Sequence, residues 1–360
     1  MTALPPTRPN PPLPVVLIGC GAVSRLFYAP ALRALEAAGW VRVIALVDPV
    51  EAARDQLQRE FSDAPAAASL AQADAPRSSL AIIASPPRWH AEQAVAAFAR
   101  GWHVLCEKPM AASGAEGERM IAAADAAGRL LAVGHYKRFF PSSHALKFIC
   151  GPAAPLGALR RFTIAEGGPF TWPAASPGFF LKRETPGGVL LDIGVHVLDL
   201  LLWWLGDPDE FTYADDAMGG LEANARLALR FGAATGRVRL SRDWVTPQRY
   251  DFEFARGTAS WTVNDANGLR LTLNGLPWTL QGTLFDAAGA AAATNPQSFI
   301  AQLQHVVTAV RERTAVLVDG REGLRALRLI EACYARKQLL PQPWLGADEQ
   351  PQRHLRAVNA

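Results

Sequence analysis

The stretch Pro14-Val15-Val16-Leu17-Ile18-Gly19-Cys20-Gly21-Ala22-Val23-Ser24 decides the fold. An apolar run of strand length stops on two glycines one residue apart, then passes into a helix-period segment that starts near Val23. Glycines there permit a tight turn and let the backbone approach a pyrophosphate at a helix N-terminus. Ser24 stands where a third glycine would be expected, and a glycine pair alone is a weak signal. Its context strengthens it. Four more apolar runs follow, Val41 to Val47, Leu80 to Ala84, His103 to Cys106 and Leu130 to Val133, with helical segments starting near Pro49, Pro87 and Gly114. Strands alternating with helices predict a parallel, doubly wound sheet over residues 14–135.

Beyond His135 the texture changes. Phe170 to Gly188 is loop-like, and a strongly apolar helix runs from Val189 to Leu205. Alternating segments at Ala223 to Phe231, Arg237 to Arg242, Tyr250 to Phe254, Ala259 to Val263 and Leu269 to Leu273 predict a mostly antiparallel sheet with one covered face. Ala287 to Thr294 reads as a surface loop, and two helices, Gln297 to Arg313 and Gly323 to Leu339, close the chain. The expected architecture is α/β: an N-terminal Rossmann domain (14–135), then an α+β domain with a large open sheet for substrate binding and oligomerisation (136–345). A Pro-rich, flexible tail (1–13) and a C-terminal tail (346–360) flank them.

Composition narrows the function classes. The chain has 360 residues, 36 Lys and Arg against 33 Asp and Glu, and half its residues are hydrophobic. That excludes a disordered chain, and two cores suit the length. With no run of five like charges, nucleic acid is not expected as a partner. The greasiest stretch, Val189 to Leu205, contains Asp192, His196 and Asp199, which argues against a membrane span. Met1 to Pro14 holds six prolines and no apolar core, unlike a signal peptide. Cys20, Cys106, Cys150 and Cys333 form no C-x-x-C pair, fitting neither a disulfide framework nor a thiolate zinc site, so a reducing cytoplasm is the expected setting.

The chemistry-bearing residues sit at strand ends, where open α/β sheets bind ligands. Asp48 ends the second strand, where a carboxylate accepts ribose hydroxyls and repels a 2′-phosphate; Asp48-Pro49-Val50-Glu51 is equally a good helix start. The expectation is NAD, with nearby Arg54 keeping NADP in play. Ser85-Pro86-Pro87-Arg88-Trp89-His90 ends the third strand and Cys106-Glu107-Lys108-Pro109 the fourth. Helix initiation and a solvated lysine are the bland readings of these two segments. Asp192, His196 and Asp199, at i, i+4 and i+7, share one face of the apolar helix. A hydrogen-bond network explains such a stripe as simply as a site does. No further ligand cluster completes a metal shell, and no metal is expected.

Taken together, Gly19-Cys20-Gly21, Ser85-Pro86 with His90, Glu107-Lys108-Pro109, Gly134 with Arg138, and Gly187-Gly188 followed by Asp192 and His196 resemble the glucose-fructose oxidoreductase/inositol dehydrogenase/MocA (Gfo/Idh/MocA) family. The match runs from about Leu13 to Pro343. Two positions depart from it: Tyr28, where members often carry His, and Pro87, where they often carry Asn. The resemblance implies an NAD(P)-dependent oxidoreductase moving a hydride between the cofactor and a secondary hydroxyl or ketone of a sugar, nucleotide sugar, cyclitol or polyol. Lys108 would stabilise alkoxide character, His196 would act as general base, and Asp192 would fix the imidazole or bind a second hydroxyl. Arg138 would contact substrate. Cofactor contacts are expected at Gly19, Gly21, Ala22, Val23, Asp48, Ser85, Pro86, His90, Glu107 and Lys108. The segment Phe170 to Phe180, with Trp172 and Phe179, reads either as a sugar-stacking lid or as a loop packed on its own domain. Two rivals stay open: a redox-neutral hydrolase, lyase or isomerase using the same cofactor, and a non-catalytic cofactor sensor. A homo-oligomer through the second sheet is implied.

Overall fold

A computed structural model describes residues 11–151, 155–173, 181–282, 284–285, 291–292 and 297–341. The Pro-rich tail up to residue 10, the C-terminal tail and Phe179 lie outside them.

The first apolar run forms β1 (Leu13–Ile18) at the centre of a parallel sheet. With β2 (Val41–Val47), β3 (Ala66–Ala67), β4 (Leu80–Ile83), β5 (His103–Cys106) and β6 (Leu131–Val133) the spatial order is β3-β2-β1-β4-β5-β6. The chain winds outward from β1 in both directions, so the switch point falls between β1 and β4 and opens a crevice at their carboxyl ends. Helices α1 (Ala29–Ala37), α2 (Glu51–Gln58), α3 (His90–Ala99) and α4 (Gly114–Ala127) connect the strands. The two-residue edge strand β3 was not expected; it is too short to show a period.

Helix α5 (Pro141–Cys150) leads to β7 (Leu159–Gly167), and a π-helical turn, Leu190–Gly194, runs into α6 (Val195–Leu205). The second sheet has nine strands, adding β8 (Glu210–Asp215), β9 (Asn224–Phe231), β10 (Ala234–Ser241), β11 (Arg249–Phe254), β12 (Gly257–Thr262), β13 (Gly268–Leu273), β14 (Leu276–Gln281) and, later in sequence, β17 (Gln338–Leu339). It is antiparallel except that β7 lies parallel to β10 and β17 parallel to β8. Its alternate residues bury against α6 and α5: Val238 and Leu240 of β10, Tyr250 and Phe252 of β11, and Trp261 of β12 join Leu198, Leu201 and Trp204 in one core. Within the expected Ala-rich loop, Ala291–Ala292 forms β16 and pairs with β15 (Leu284–Phe285).

The two closing helices return to the first sheet. Helix α7 (Gln297–Glu312) places Phe299, Leu303, Val306 and Val307 in a core with Leu13, Val15, Tyr28 and Leu32. Helix α8 (Gly320–Ala335) follows a stretch that bonds to β6 through Val133 N–H and Val318 O at 3.0 Å. Residues assigned by sequence to the second domain therefore help to cover the first. Among the described residues no helix is long and apolar enough to cross a membrane.

Candidate active site

The glycine turn after β1 is shaped by close approach. Gly19 has φ +92°, and a Cβ there would lie 2.6 Å from the Ala84 carbonyl carbon and the Ser85 nitrogen at the end of β4. A Cβ on Gly21 would meet nothing, so the turn presents open space to a ligand. The Ser24 hydroxyl, at the third-glycine position, donates to Gly19 O at 2.5 Å and closes the loop on itself. Ala22 and Val23, both partly exposed, begin the helix, which continues through a π-helical turn at Ser24–Tyr28. Asp48 lies at the end of β2; Oδ2 accepts Cys20 N–H and Oδ1 accepts Val50 N–H, both at 2.8 Å. The helix-start reading of Asp48 is corrected: α2 begins at Glu51 with Val50 as its N-cap, and Asp48 instead ties the glycine loop and closes the turn ahead of the helix. The Arg54 guanidinium donates to Asp48 O at 2.6 Å. An open backbone cradle at a helix N-terminus beside a carboxylate at the second strand's end fits a dinucleotide.

The turns after β4 and β5 are clamped together. Ser85 Oγ donates to Gln93 at 2.6 Å, and Pro86 is exposed at the rim. His90 is 1% exposed, its ring nitrogens 2.7 Å from Ser85 O and 3.0 Å from Pro109 O. His90, expected as a cofactor contact, is thus buried with its ring between the two turns. Glu107 is also turned inward, accepting from Tyr28 Oη at 2.7 Å and from Lys108 N–H at 3.1 Å. Burial raises its carboxyl above the usual range, against the pull of Tyr28 and Lys108. Tyr28, one of the two departures from the resembled pattern, is therefore what holds Glu107.

Lys108 and the start of α6 meet from opposite domains. Lys108 Nζ donates to Asp192 O at 3.0 Å and Asp192 Oδ1 at 3.2 Å, while the Arg242 guanidinium bonds Asp192 Oδ2. Burial lowers Lys108 to about 8, with Arg242 pushing the same way and Glu107 and Glu166 opposing. The π-helical turn gives Asp192 its reach, and that turn requires Gly188: a Cβ there would lie 2.1 Å from Glu222 O. Glu222 in turn accepts Gly188 N–H at 2.9 Å and Leu190 N–H at 3.0 Å. His196 is 7% exposed; its Nδ1 is sealed in without a partner among the described residues, so Nε2 is the nitrogen toward the cleft. Burial, then Lys108, Lys137 and His135, hold His196 well below the ordinary imidazole value.

The i, i+4, i+7 stripe divides its partners. Asp199 turns away from Asp192 and binds Arg138, which donates from Nε at 3.0 and 3.1 Å and from Nη2 at 2.7 Å. Arg138 Nη1 donates to Glu322 at 2.9 Å. Arg138, expected as a substrate contact, is 1% exposed here and its guanidinium is engaged by these two carboxylates. Trp172 stacks on Phe27 at 6.0 Å, and Phe27, Phe299 and Tyr136 continue that ladder to the edge of His196.

Sequence reading missed Arg242, His135 and the buried Lys137–Glu166–Tyr250 group, in which Lys137 Nζ and Tyr250 Oη each lie 2.6 Å from Glu166. No local motif marks them; the only signal was a charged residue, Glu166, on the inward side of a strand pattern. Among the described residues no cluster of three His, Cys, Asp or Glu side chains is placed to hold a metal.

Both halves of the chain resemble known proteins. Residues 13–135 match the family described as "Oxidoreductase family, NAD-binding Rossmann fold", and residues 154–263 match the "GFO/IDH/MocA C-terminal domain", together more than half of the chain. The rhizopine catabolism protein MocA of Rhizobium meliloti is 28% identical over 261 residues, 68% of this chain and 73% of that one. The scyllo-inositol 2-dehydrogenase (NADP(+)) IolW of Bacillus subtilis is 27% identical over 59% of this chain and 57% of its own length. Among solved structures, levoglucosan dehydrogenase in complex with NADH and levoglucosan superposes with a TM-score of 0.77 at 18% identity, covering 90% of this chain and 96% of that one.

Proposed function

Because the chain belongs to the Gfo/Idh/MocA oxidoreductase family, we propose that Lys108, Asp192 and His196 carry hydride transfer at a secondary carbinol carbon of a sugar, cyclitol, nucleotide sugar or related polyol. The chain is an NAD(P)-dependent oxidoreductase acting on CH–OH groups. The observation that carries the assignment of residues is the convergence of Lys108 from the end of β5 with Asp192 from the start of α6.

The nicotinamide cofactor, when bound, accepts or returns the hydride. The protein supplies position and charge. Lys108 directs an ammonium at the reacting oxygen and stabilises negative charge there, in a pocket where burial strengthens the effect. Asp192, held between Lys108 and Arg242, keeps Lys108 in place and presents a carboxylate to a neighbouring hydroxyl. His196 Nε2 takes the hydroxyl proton on oxidation and returns it on reduction. Phe170, over which the Arg242 guanidinium lies at 5.3 Å, and Trp172, stacked on Phe27, are the aromatic rings proposed to meet a sugar face. Gly19, Gly21, Ala22, Val23, Asp48, Ser85 and Pro86 form the proposed cofactor cradle within residues 14–135.

The reading extends to assembly and setting. A second copy is proposed to pair through the face of the second sheet opposite α6, where the exposed Arg226, Arg237 and Arg239 of β9 and β10 would repel one another unless acidic groups of the second copy answer them. Light scattering that finds a monomer at micromolar concentration would remove that part. Free, largely buried cysteines support a reducing cytoplasm.

The decisive test loads the protein with NAD and, separately, NADP, and screens sugars, cyclitols and nucleotide sugars for nicotinamide reduction. Reduction that is lost in Lys108→Met is the expected result. Turnover equal in wild type and Lys108→Met would overturn the assignment, and product formed without net reduction would move the chain to redox-neutral chemistry.

A further inference from the structure

Behind His196, on its buried side, lies a second imidazole that the chemistry above leaves idle. His135 follows β6, is 1% exposed, and has no hydrogen-bond partner for either ring nitrogen among the described residues; His196 Nδ1 is in the same condition. The rings meet edge to face with centroids 6.1 Å apart. Buried polar atoms are nearly always paired, so three unpaired ring nitrogens in one place call for an explanation. At this separation the two rings are within reach of a direct bond after a side-chain adjustment, or of one bridging water.

The charges facing the two rings differ. The charges that disfavour a cation on His196 are Lys108 from the end of β5, Lys137 from the turn after β6, and His135 when protonated, while the nearby carboxylates Asp192 and Glu166 are already paired with those two lysines. Tyr136 covers its edge at 5.2 Å and adds no charge to offset them. His135 has Asp199 of α6, its Oδ2 3.6 Å from Nδ1, and the more distant Glu322 of α8 to favour a cation, against Arg138 and Lys108. A positive charge is therefore better placed on the rear ring than on the front one.

We propose that His135 is a positioning residue for His196: it accepts the Nδ1–H of His196, leaving Nε2 free toward the cleft, and takes that proton when Nε2 receives one from substrate. On oxidation the substrate O–H bond breaks and Nε2–H forms on His196, while Nδ1–H of His196 breaks and an N–H forms on His135. The cation then lies beside Asp199, and on reduction each bond change reverses. The relay rests on the reading of His196 as the proton-transfer group, but its test does not.

That test is long-range 1H–15N correlation NMR on full-length protein as purified, carrying 15N-histidine, with no substrate added and signals assigned through His135→Gln and His196→Gln. Wild-type His196 is expected as the Nδ1–H tautomer. In His135→Phe it should shift to a mixture or to Nε2–H, and in His135→Gln, whose amide oxygen also accepts, it should return to Nδ1–H. A wild-type His196 carrying its proton on Nε2 overturns the proposal even if no variant folds. So does a folded His135→Phe with an unchanged tautomer. Absence of turnover on every polyol would instead sink the proposed function and leave these spectra untouched.

Discussion

Lys108 Nζ reaches the backbone carbonyl and the side chain of Asp192, 84 positions later in the chain, at 3.0 and 3.2 Å. The contact joins the end of a parallel strand to the first turn of a helix in the other half of the molecule. Both ends are held in place. The turn carrying Lys108 is tied by His90, through Pro109 O, and by Glu107, and the turn carrying Asp192 by Glu222. The pair is the seam along which the proposed cofactor cradle meets the proposed substrate pocket.

Lys108→Met is expected to lower turnover by roughly 100- to 1,000-fold, the range for loss of one donor aimed at developing negative charge. The pH profile gives a finer check. Burial depresses Lys108 to about 8, so the ammonium that must donate to a ketone oxygen is lost as pH rises through that value. Ketone reduction should therefore fall above about pH 8. Lys108→Arg should carry that limb to higher pH, and an unmoved limb would show that another group controls it.

Asp48 is expected to set cofactor choice. Its two oxygens already accept Cys20 and Val50 N–H, and each keeps acceptor capacity for a ribose hydroxyl. Asp48→Ser removes a charged acceptor, worth about 1.5–3 kcal/mol, and removes repulsion toward a 2′-phosphate near Arg54. The NADH to NADPH affinity ratio, read by fluorescence titration, should drop at least about tenfold. An unchanged ratio would take Asp48 out of the ribose site.

Asp199→Asn should destabilise the fold. Arg138 and Asp199 side chains are 2% and 1% exposed and share three hydrogen bonds. Removing the charge leaves a buried guanidinium with only Glu322 to answer it. A loss of about 3–5 kcal/mol in urea unfolding is expected; a loss under about 1 kcal/mol would mean that Arg138 finds solvent or another partner.

Legibility in the sequence followed the range of the interactions. The Rossmann half was readable because β1, β2, β4 and β5 are short apolar runs ended by glycine, proline or a carboxylate, and the strands at Val41–Val47 and His103–Cys106 were placed to the residue. Strand β7 escaped notice although it is central to the second sheet. It reads Leu-Arg-Arg-Phe-Thr-Ile-Ala-Glu-Gly, and its inward Glu166 breaks the apolar alternation; Lys137 and Tyr250, 29 and 84 positions away, satisfy that charge. Strand β14, with Pro277 and every side chain exposed, gave no period to read. The same limit held at the site. Lys108, Asp192 and His196 sit in local motifs, whereas the fate of Arg138 depends on Asp199 and Glu322 and could not be seen without them.

Acid should weaken the first sheet at an identifiable bond. His103 Nδ1 accepts Leu130 N–H at 3.1 Å, holding the start of β5 to the residue before β6, so the proton of the neutral ring is on Nε2. Burial, aided by Arg129, lowers His103 from 6.5 to about 4. Between those values the unfolded chain binds the proton and the folded chain does not. Stability contributed by the neutral ring is therefore complete above about pH 6.5 and is lost as pH falls toward 4, by less than about 1.4 kcal/mol per pH unit because solvent screens this half-buried ring. His135, lowered to about 4 chiefly by burial, acts in the same sense. His103→Gln keeps an acceptor for Leu130 N–H and cannot titrate. Urea midpoints measured from pH 7.5 to 4.5 should fall less steeply in that variant, by the equivalent of about one proton. Equal slopes would mean that His103 is protonated no more readily in the unfolded chain than in the folded one.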